Sequence, residues 1–369
     1  MRRALLLLLL VFSAACDSTP TSPPDTTPDG GTPDGGAPDA GTPDGGSTDP
    51  ISAPENKWTW VPFSETHCGN GSPAGIGINP APGGSKRILV YMAGGGACWD
   101  FVTCYSLKTA AHVEDTYSQA TLDSEVATLT SAGVTDRQDT TTPFHDANFV
   151  YIPYCTGDLY AGDATRSYDT NNPQRQMYHR GAANMDAFLA HLKATFPDAE
   201  QIWLTGSSAG GYGAELNFEQ VSLAFPNAHV DLLADSAQVV MPDSARWAVI
   251  INSWNPRFPE SCPTCAQSFP ALIDALAARW PDRRLGLLVY DNDAVLSSYF
   301  NYSSGQMATA VNSLLTNQYT HANTHYFLLS GTSHTMLGSY KTLTGPGGVS
   351  LKSWVNQWAT GDSGWTNVH

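Results

Sequence analysis

The chain has 369 residues, a formal net charge of −16 and 41% hydrophobic side chains. That balance argues against nucleic acid and against an anionic membrane face as partners, because both select for lysine and arginine; it also weighs against a polyanionic substrate. Of the 18 Lys/Arg and 34 Asp/Glu, two arginines and seven aspartates precede residue 53, so the remainder carries 16 against 27 and is itself acidic.

Residues 1–16 read as an export signal. Arg2-Arg3 form the positive end, residues 5–12 the apolar core, and Ser13-Ala14-Ala15 the small residues before Cys16. Eight apolar residues are too few for a stable bilayer span. A cysteine directly after the small residues resembles a bacterial lipobox, with Ser13 where that motif usually has leucine. The expectation is an exported protein acylated on Cys16 and anchored to the bacterial envelope, at the outer membrane or cell surface. Ordinary secretion is the alternative. Residues 17–52 repeat Thr-Pro-Asp-Gly-Gly with a five-residue period and offer nothing to bury, which predicts a disordered, extended tether. Residues 53–369 are then one α/β domain.

In chain order, residues 58–63 open the domain and 87–92 form the first clear buried strand, which runs into Gly94-Gly95-Gly96-Ala97-Cys98. Residues 105–145 are polar and Thr-rich and read as loops with a short helix. Residues 148–154 are a second strand. Met185, Phe188, Leu189, Leu192 and Phe196 fall at helical spacing within 178–196, and Pro197 stops the run. A strand follows at once and ends in Gly206-Ser207-Ser208-Ala209-Gly210, with a helix read over 215–225. Strands at 230–234, 284–290 and 324–330 alternate with helices at 269–280, 305–317 and 351–359. Such alternation predicts a mainly parallel sheet with helices on both faces, an α/β-hydrolase-like fold with its chemistry at the carboxyl ends of the strands.

Those ends carry a nucleophile constellation. Gly206-x-Ser208-x-Gly210 between strand and helix is the spacing of a nucleophile elbow, a turn so tight that the flanking residues must be small. Ser207 lacks that spacing. Strand 284–290 runs into Asp291-Asn292-Asp293, and strand 324–330 runs toward His334. The order Ser, Asp, His is that of α/β-hydrolases. Either Asp293 or Asp291 could orient the imidazole, and either could cap a turn. His325 lies in a strand, and His179 and His191 read as helical. The early glycine run could offer backbone N–H groups to an oxyanion. The six cysteines of the domain, Cys68, Cys98, Cys104, Cys155, Cys262 and Cys265, are an even number that suggests disulfides in any of fifteen pairings. Cys262-Pro-Thr-Cys265 has no second half with zinc-ligand spacing, so neither metal nor cofactor is expected.

Together Gly94-Gly95-Gly96-Ala97-Cys98, Ile152-Pro153-Tyr154-Cys155, Gly206-Ser207-Ser208-Ala209-Gly210-Gly211, Ala234-Asp235-Ser236 and Ser333-His334 resemble the pectin acetylesterase/Notum family of carboxylesterases. The resemblance implies Ser208 as nucleophile, His334 as general base and Asp293, in a D-x-hydrophobic pattern, as the acid in preference to Asp291. It implies an oxyanion hole from the N–H groups of Gly95, Gly96 and Ala209. It also implies the bridges Cys98–Cys104 and Cys68–Cys155, leaving Cys262–Cys265. Many relatives carry a large aromatic where this chain has Gly96, so the acyl pocket is expected to differ in shape. The implied activity is hydrolysis of O-acyl esters, with an acetylated polysaccharide as the expected substrate. A longer-chain esterase, lipase or protein deacylase is one alternative. A carbohydrate-binding protein on a hydrolase scaffold is another.

Overall fold

The computed structural model describes residues 48–303 and 305–369; the export segment, Cys16 and the repeat up to residue 47 lie outside the described residues. The chain already packs on the domain at Ile51, whose N–H donates to Thr195 Oγ1 at 2.8 Å, a little before the boundary that composition suggests.

Among the described residues there are ten strands: β1 (Thr59–Pro62), β2 (Gly75–Asn79), β3 (Arg87–Met92), β4 (Asn148–Ile152), β5 (Ala164–Arg166), β6 (Met177–His179), β7 (Gln201–Ser207), β8 (His229–Asp235), β9 (Leu285–Tyr290) and β10 (Thr324–Leu329). Eight make one sheet in the order β1-β2-β4-β3-β7-β8-β9-β10, and β5 and β6 pair separately as a hairpin. β1, β2 and β4 run antiparallel to their neighbours in turn, and every pairing from β4 to β10 is parallel. The carboxyl ends of β3, β7, β8, β9 and β10 therefore share one rim, with β7 near the middle.

Helices α1 (Gln119–Ser131), α2 (Gly181–Thr195), α3 (Ala209–Ala224), α4 (Ser244–Trp254), α5 (Ala271–Arg279), α6 (Ala294–Phe300), α7 (Gln306–Asn317) and α8 (Leu351–Thr360) accompany the sheet. Their burial follows their spacing. Leu122, Val126 and Leu129 form the buried stripe of α1, and Leu351, Trp354, Val355 and Trp358 that of α8. The region 105–145 thus holds a full helix, capped by Ser118, which accepts from Thr121 N–H. β2 carries little strand signal because of its glycines, and the packing explains them. A Cβ on Gly77 would lie 2.5 Å from Leu122 Cδ1, and one on Gly75 would lie 2.2 Å from Val61 O. Among the described residues no helix is long and apolar enough to cross a membrane.

Among the described residues three disulfides join Cys68–Cys155, Cys98–Cys104 and Cys262–Cys265, the pairing that the family resemblance implies. The first ties the β1–β2 loop to the end of β4. The second closes the loop that follows the glycine run.

His179 ends β6 and is not helical. Its ring is fully buried, with Nδ1 on Thr156 O at 2.9 Å and Nε2 on the Tyr168 hydroxyl at 2.9 Å. Its partner Thr156 precedes the strained turn in which Leu159 and Tyr160 have φ of 56° and 60°. Burial holds this imidazole neutral and lowers its pKa to about 4 from an ordinary 6.5. The unfolded chain accepts the proton first as pH falls. Stability from this group is therefore complete above 6.5 and lost progressively toward pH 4. Urea unfolding across that window should show an acid loss on the order of 2–3 kcal/mol that is absent from His179→Gln. Parallel pH profiles for the two proteins would refute it.

Candidate active site

β7 delivers the chain to Ser208, whose φ of 56° and ψ of −124° are a strained conformation for a residue with a side chain. α3 begins at the next residue, so Ser208 is its N-cap and the N–H of Ala209 has no helical partner. The flanking glycines are sterically required. A Cβ on Gly206 would lie 2.3 Å from Gly210 O, and one on Gly210 would lie 1.9 Å from Met92 O, at the end of β3. Backbone cannot rotate away as a side chain can, so only glycine fits.

The chain leaving β3 passes directly beneath this turn. A Cβ on Gly94 would sit 2.7 Å from Ser207 O and 3.1 Å from Ser208 Cβ. Outward-facing bonds hold the glycine corner in place: Ala111 N–H donates to Gly95 O at 2.8 Å, and Ala97 N–H to Thr109 O at 3.2 Å. The N–H groups of Gly95, Gly96 and Ala209 have no hydrogen-bond partner among the described residues. Three donors beside a strained serine are suited to receive an oxyanion.

His334 and Asp293 come from the ends of β10 and β9. Asp293 is fully buried and its two oxygens divide the work. Oδ1 accepts from Leu296 N–H at 3.0 Å and caps α6, while Oδ2 meets His334 Nδ1 at 2.7 Å. A carboxylate on Nδ1 places the ring proton there and leaves Nε2 as the basic nitrogen. Asp291 is elsewhere: its Oδ1 accepts from Gly331 N–H at 2.8 Å, fixing the start of the histidine loop. Of the two candidate acids, Asp293 is the one bonded to the ring. No hydrogen bond joins His334 to Ser208 Oγ among the described residues, a contact that is often long in unliganded active sites and tightens when substrate binds.

Beside Ser208 lies a cavity of about 40 Å³, bordered by Gly96, Ala97, Trp99, Leu159, Ala209, Tyr212, Ile250, Trp254, Leu296, Tyr299 and Phe300. Its wall is apolar and well buttressed. Tyr299 meets Trp99 edge-on at 6.4 Å, its hydroxyl bonds Thr109 O, and the Arg246 guanidinium stacks over Trp99 at 4.5 Å. Trp254 Nε1 donates to Cys98 O at 2.7 Å, tying α4 to the disulfide loop. At Gly96, with φ of 78°, a Cβ would lie 2.2 Å from Tyr299 Oη and 2.1 Å from Thr109 O. Tyr299 and the 109–111 segment thus occupy the space into which a larger residue at position 96 would project.

The sequence reading did not assign Ile250, Trp254 or Tyr299 to the site. α4 carried a usable signal, since Asp243 accepts from Ala245 and Arg246 N–H at its start and Trp247, Ile250 and Trp254 recur at helical spacing. Asp235 stands in the Ala234-Asp235-Ser236 motif at the end of β8. It is fully buried, and burial pushes its carboxyl above the ordinary range, opposed by bonds from Leu337 N–H, Ser207 and Met336 N–H and by the nearby His334.

The family model described as Pectinacetylesterase matches residues 59–245. Relatives named palmitoleoyl-protein carboxylesterase NOTUM match at 30% identity from Homo sapiens (46% of this chain, 33% of that protein) and from Schmidtea mediterranea (43% and 29%). The Drosophila melanogaster protein of the same name matches at 31% (42% and 22%). The match spans a third or less of those relatives' own length. The family model takes in the glycine corner, Ser208 and Asp235 and ends before Asp293 and His334.

The steric account of the elbow predicts that Gly210→Ala loses at least about 2 kcal/mol in chemical denaturation. Gly338→Ala, where an added Cβ meets nothing within 4 Å, serves as the control. Equal stability of the two variants would contradict the close approach of α3 to β3.

Proposed function

The chain belongs to the pectinacetylesterase family, and from that premise we propose that it is a serine carboxylesterase removing short O-acyl groups, acetyl above all, from a polysaccharide outside the cytoplasm. The reading is carried by the bond between His334 Nδ1 and Asp293 Oδ2, at the same sheet rim as the strained Ser208. Ser208 Oγ attacks the ester carbonyl and His334 Nε2 takes its proton, with Asp293 holding the tautomer and stabilising the imidazolium. The N–H groups of Gly95, Gly96 and Ala209 receive the oxyanion; one such donor is typically worth roughly 3 kcal/mol. His334 returns the proton to the departing sugar hydroxyl. Water, deprotonated by the same nitrogen, then cleaves the acyl-serine and releases the acid.

The cavity supports a short acyl group. By the measure in which one water needs about 10–15 Å³, a cavity of about 40 Å³ holds a few waters, which favours a short acyl group over a long chain such as palmitoleoyl. The disulfides fit an oxidising compartment. Export and a lipid on Cys16 would let the enzyme reach polymers that cannot be imported. The acidic balance favours a neutral acetylated glycan over de-esterified pectin.

An acetate-release screen over acetylated glycans, combined with p-nitrophenyl esters of increasing chain length, tests this directly. Turnover should be highest with acetate and fall steeply by hexanoate, and Ser208→Ala should abolish both turnover and fluorophosphonate labelling. Asp293→Asn should lower kcat on the order of 10⁴-fold. Preference for long chains would overturn the acetyl reading while keeping the esterase. An unlabelled wild type would favour a binding protein. Because Tyr299 closes the cavity, Tyr299→Ala should raise the hexanoate-to-acetate ratio of kcat/KM by roughly tenfold, the range in which methylene-scale pocket changes act. An unchanged ratio would place the acyl group elsewhere.

A further inference from the structure

We infer that Asp235 is the positioning residue that ties the loop carrying His334 to the elbow carrying Ser208. The inference rests on the assignment of those two residues as base and nucleophile. In the sheet, β10 lies three places from β7. At about 4.8 Å per strand their ends are roughly 14 Å apart, so the histidine loop must fold back across β9 to approach the serine. It comes to rest at the end of β8, the strand next to the elbow. Three consecutive N–H groups after His334 are bound there. Thr335 donates to Ser236 Oγ at 2.8 Å, Met336 to Asp235 Oδ1 at 2.8 Å, and Leu337 to Asp235 Oδ2 at 2.9 Å.

The same aspartate holds the elbow. Ser207 Oγ donates to Asp235 Oδ2 at 2.7 Å, and Ser208 N–H donates to Asp235 O at 2.7 Å. The direction of the Ser207 hydroxyl is set from behind, because the Tyr91 hydroxyl donates to it at 2.9 Å and leaves its own proton for Asp235. Every group facing the carboxylate is therefore a donor. An amide in its place would turn an NH₂ toward at least one of them, leaving a buried donor unpaired. Ser236 and Thr335 both have positive φ, at 52° and 66°, so the clamp holds two strained residues together.

A misplacement of about 1 Å in the catalytic groups costs on the order of 10²-fold. Asp235 does not border the acyl cavity, so its loss should fall on kcat alone. The test uses p-nitrophenyl acetate and the full chain, with active sites counted by fluorophosphonate titration. For Asp235→Asn the expected result is kcat per titrated site lower by about 10²-fold with KM within about twofold. Ser207→Ala cuts only the side-chain link to the elbow and should lower kcat per site by about fivefold. Wild-type kcat per site in folded Asp235→Asn would overturn the inference, as would a loss explained entirely by fewer titratable sites. If Asp235→Asn does not fold, Ser207→Ala decides, and wild-type kcat per site there overturns it. A wild-type protein that neither turns over nor labels overturns the assignment of Ser208 first, and this inference with it.

Discussion

The contact on which the site depends is between two stretches of backbone. The end of β3 and the first turn of α3 approach so closely that Met92 O lies 1.9 Å from where a Cβ on Gly210 would stand. Because no side chain separates them, the exit of β3 and the elbow behave as one rigid object. That contact brings the glycine corner under Ser208. Had either stretch carried side chains, the sheet could still form, but the donors and the hydroxyl would be spaced apart by a residue's width. Preorganised dipoles are effective only when they need not move during reaction.

The other half of the site is assembled differently, by carboxylates and not by close packing. Asp293 begins α6 with one oxygen and orients His334 with the other, so the helix start and the ring orientation are fixed by a single buried group. Asp235 does the corresponding work for the chain that follows the ring. A charged acceptor is strong enough to gather several N–H groups, and burial keeps water from competing for them. The family match ends at residue 245, so Asp293 and His334 stand on their geometry and not on the comparison.

Much of the site was legible in the sequence because its requirements are local. Gly206, Ser208 and Gly210 sit within five residues, and a strand before and a helix after them are read from periodicity alone. The order of strands ending in Asp293 and His334 followed from apolar runs separated by helices. What was not legible depended on contacts between segments. β2 reads Gly-Ile-Gly-Ile-Asn, and its glycines make sense only once Leu122 is known to press on Gly77. α1 has its apolar stripe, but threonines and serines of low helix propensity obscure it, and packing decides. The choice between Asp291 and Asp293 depended on which oxygen a loop from β10 would meet, which spacing along β9 does not encode.

The cavity proposed to hold the acyl group shows why specificity is less readable than mechanism. Beyond the glycine corner and the elbow, its walls come from Trp99, Leu159, Ile250, Trp254, Leu296, Tyr299 and Phe300, none of which belongs to a motif. Each wall is held by a separate device: Cys98–Cys104 and the Trp254–Cys98 bond on one side, Tyr299 on Thr109 O on another. Apolar residues in such segments are free to change size so long as the space stays filled. A family can therefore keep one elbow and one glycine corner while its members accept different acyl groups. In this chain the residue at position 96 is as small as possible, yet the cavity is small too, because Tyr299 and the 109–111 segment close in over it. The identity of one pocket residue does not set the pocket's volume; the elements packed against it do.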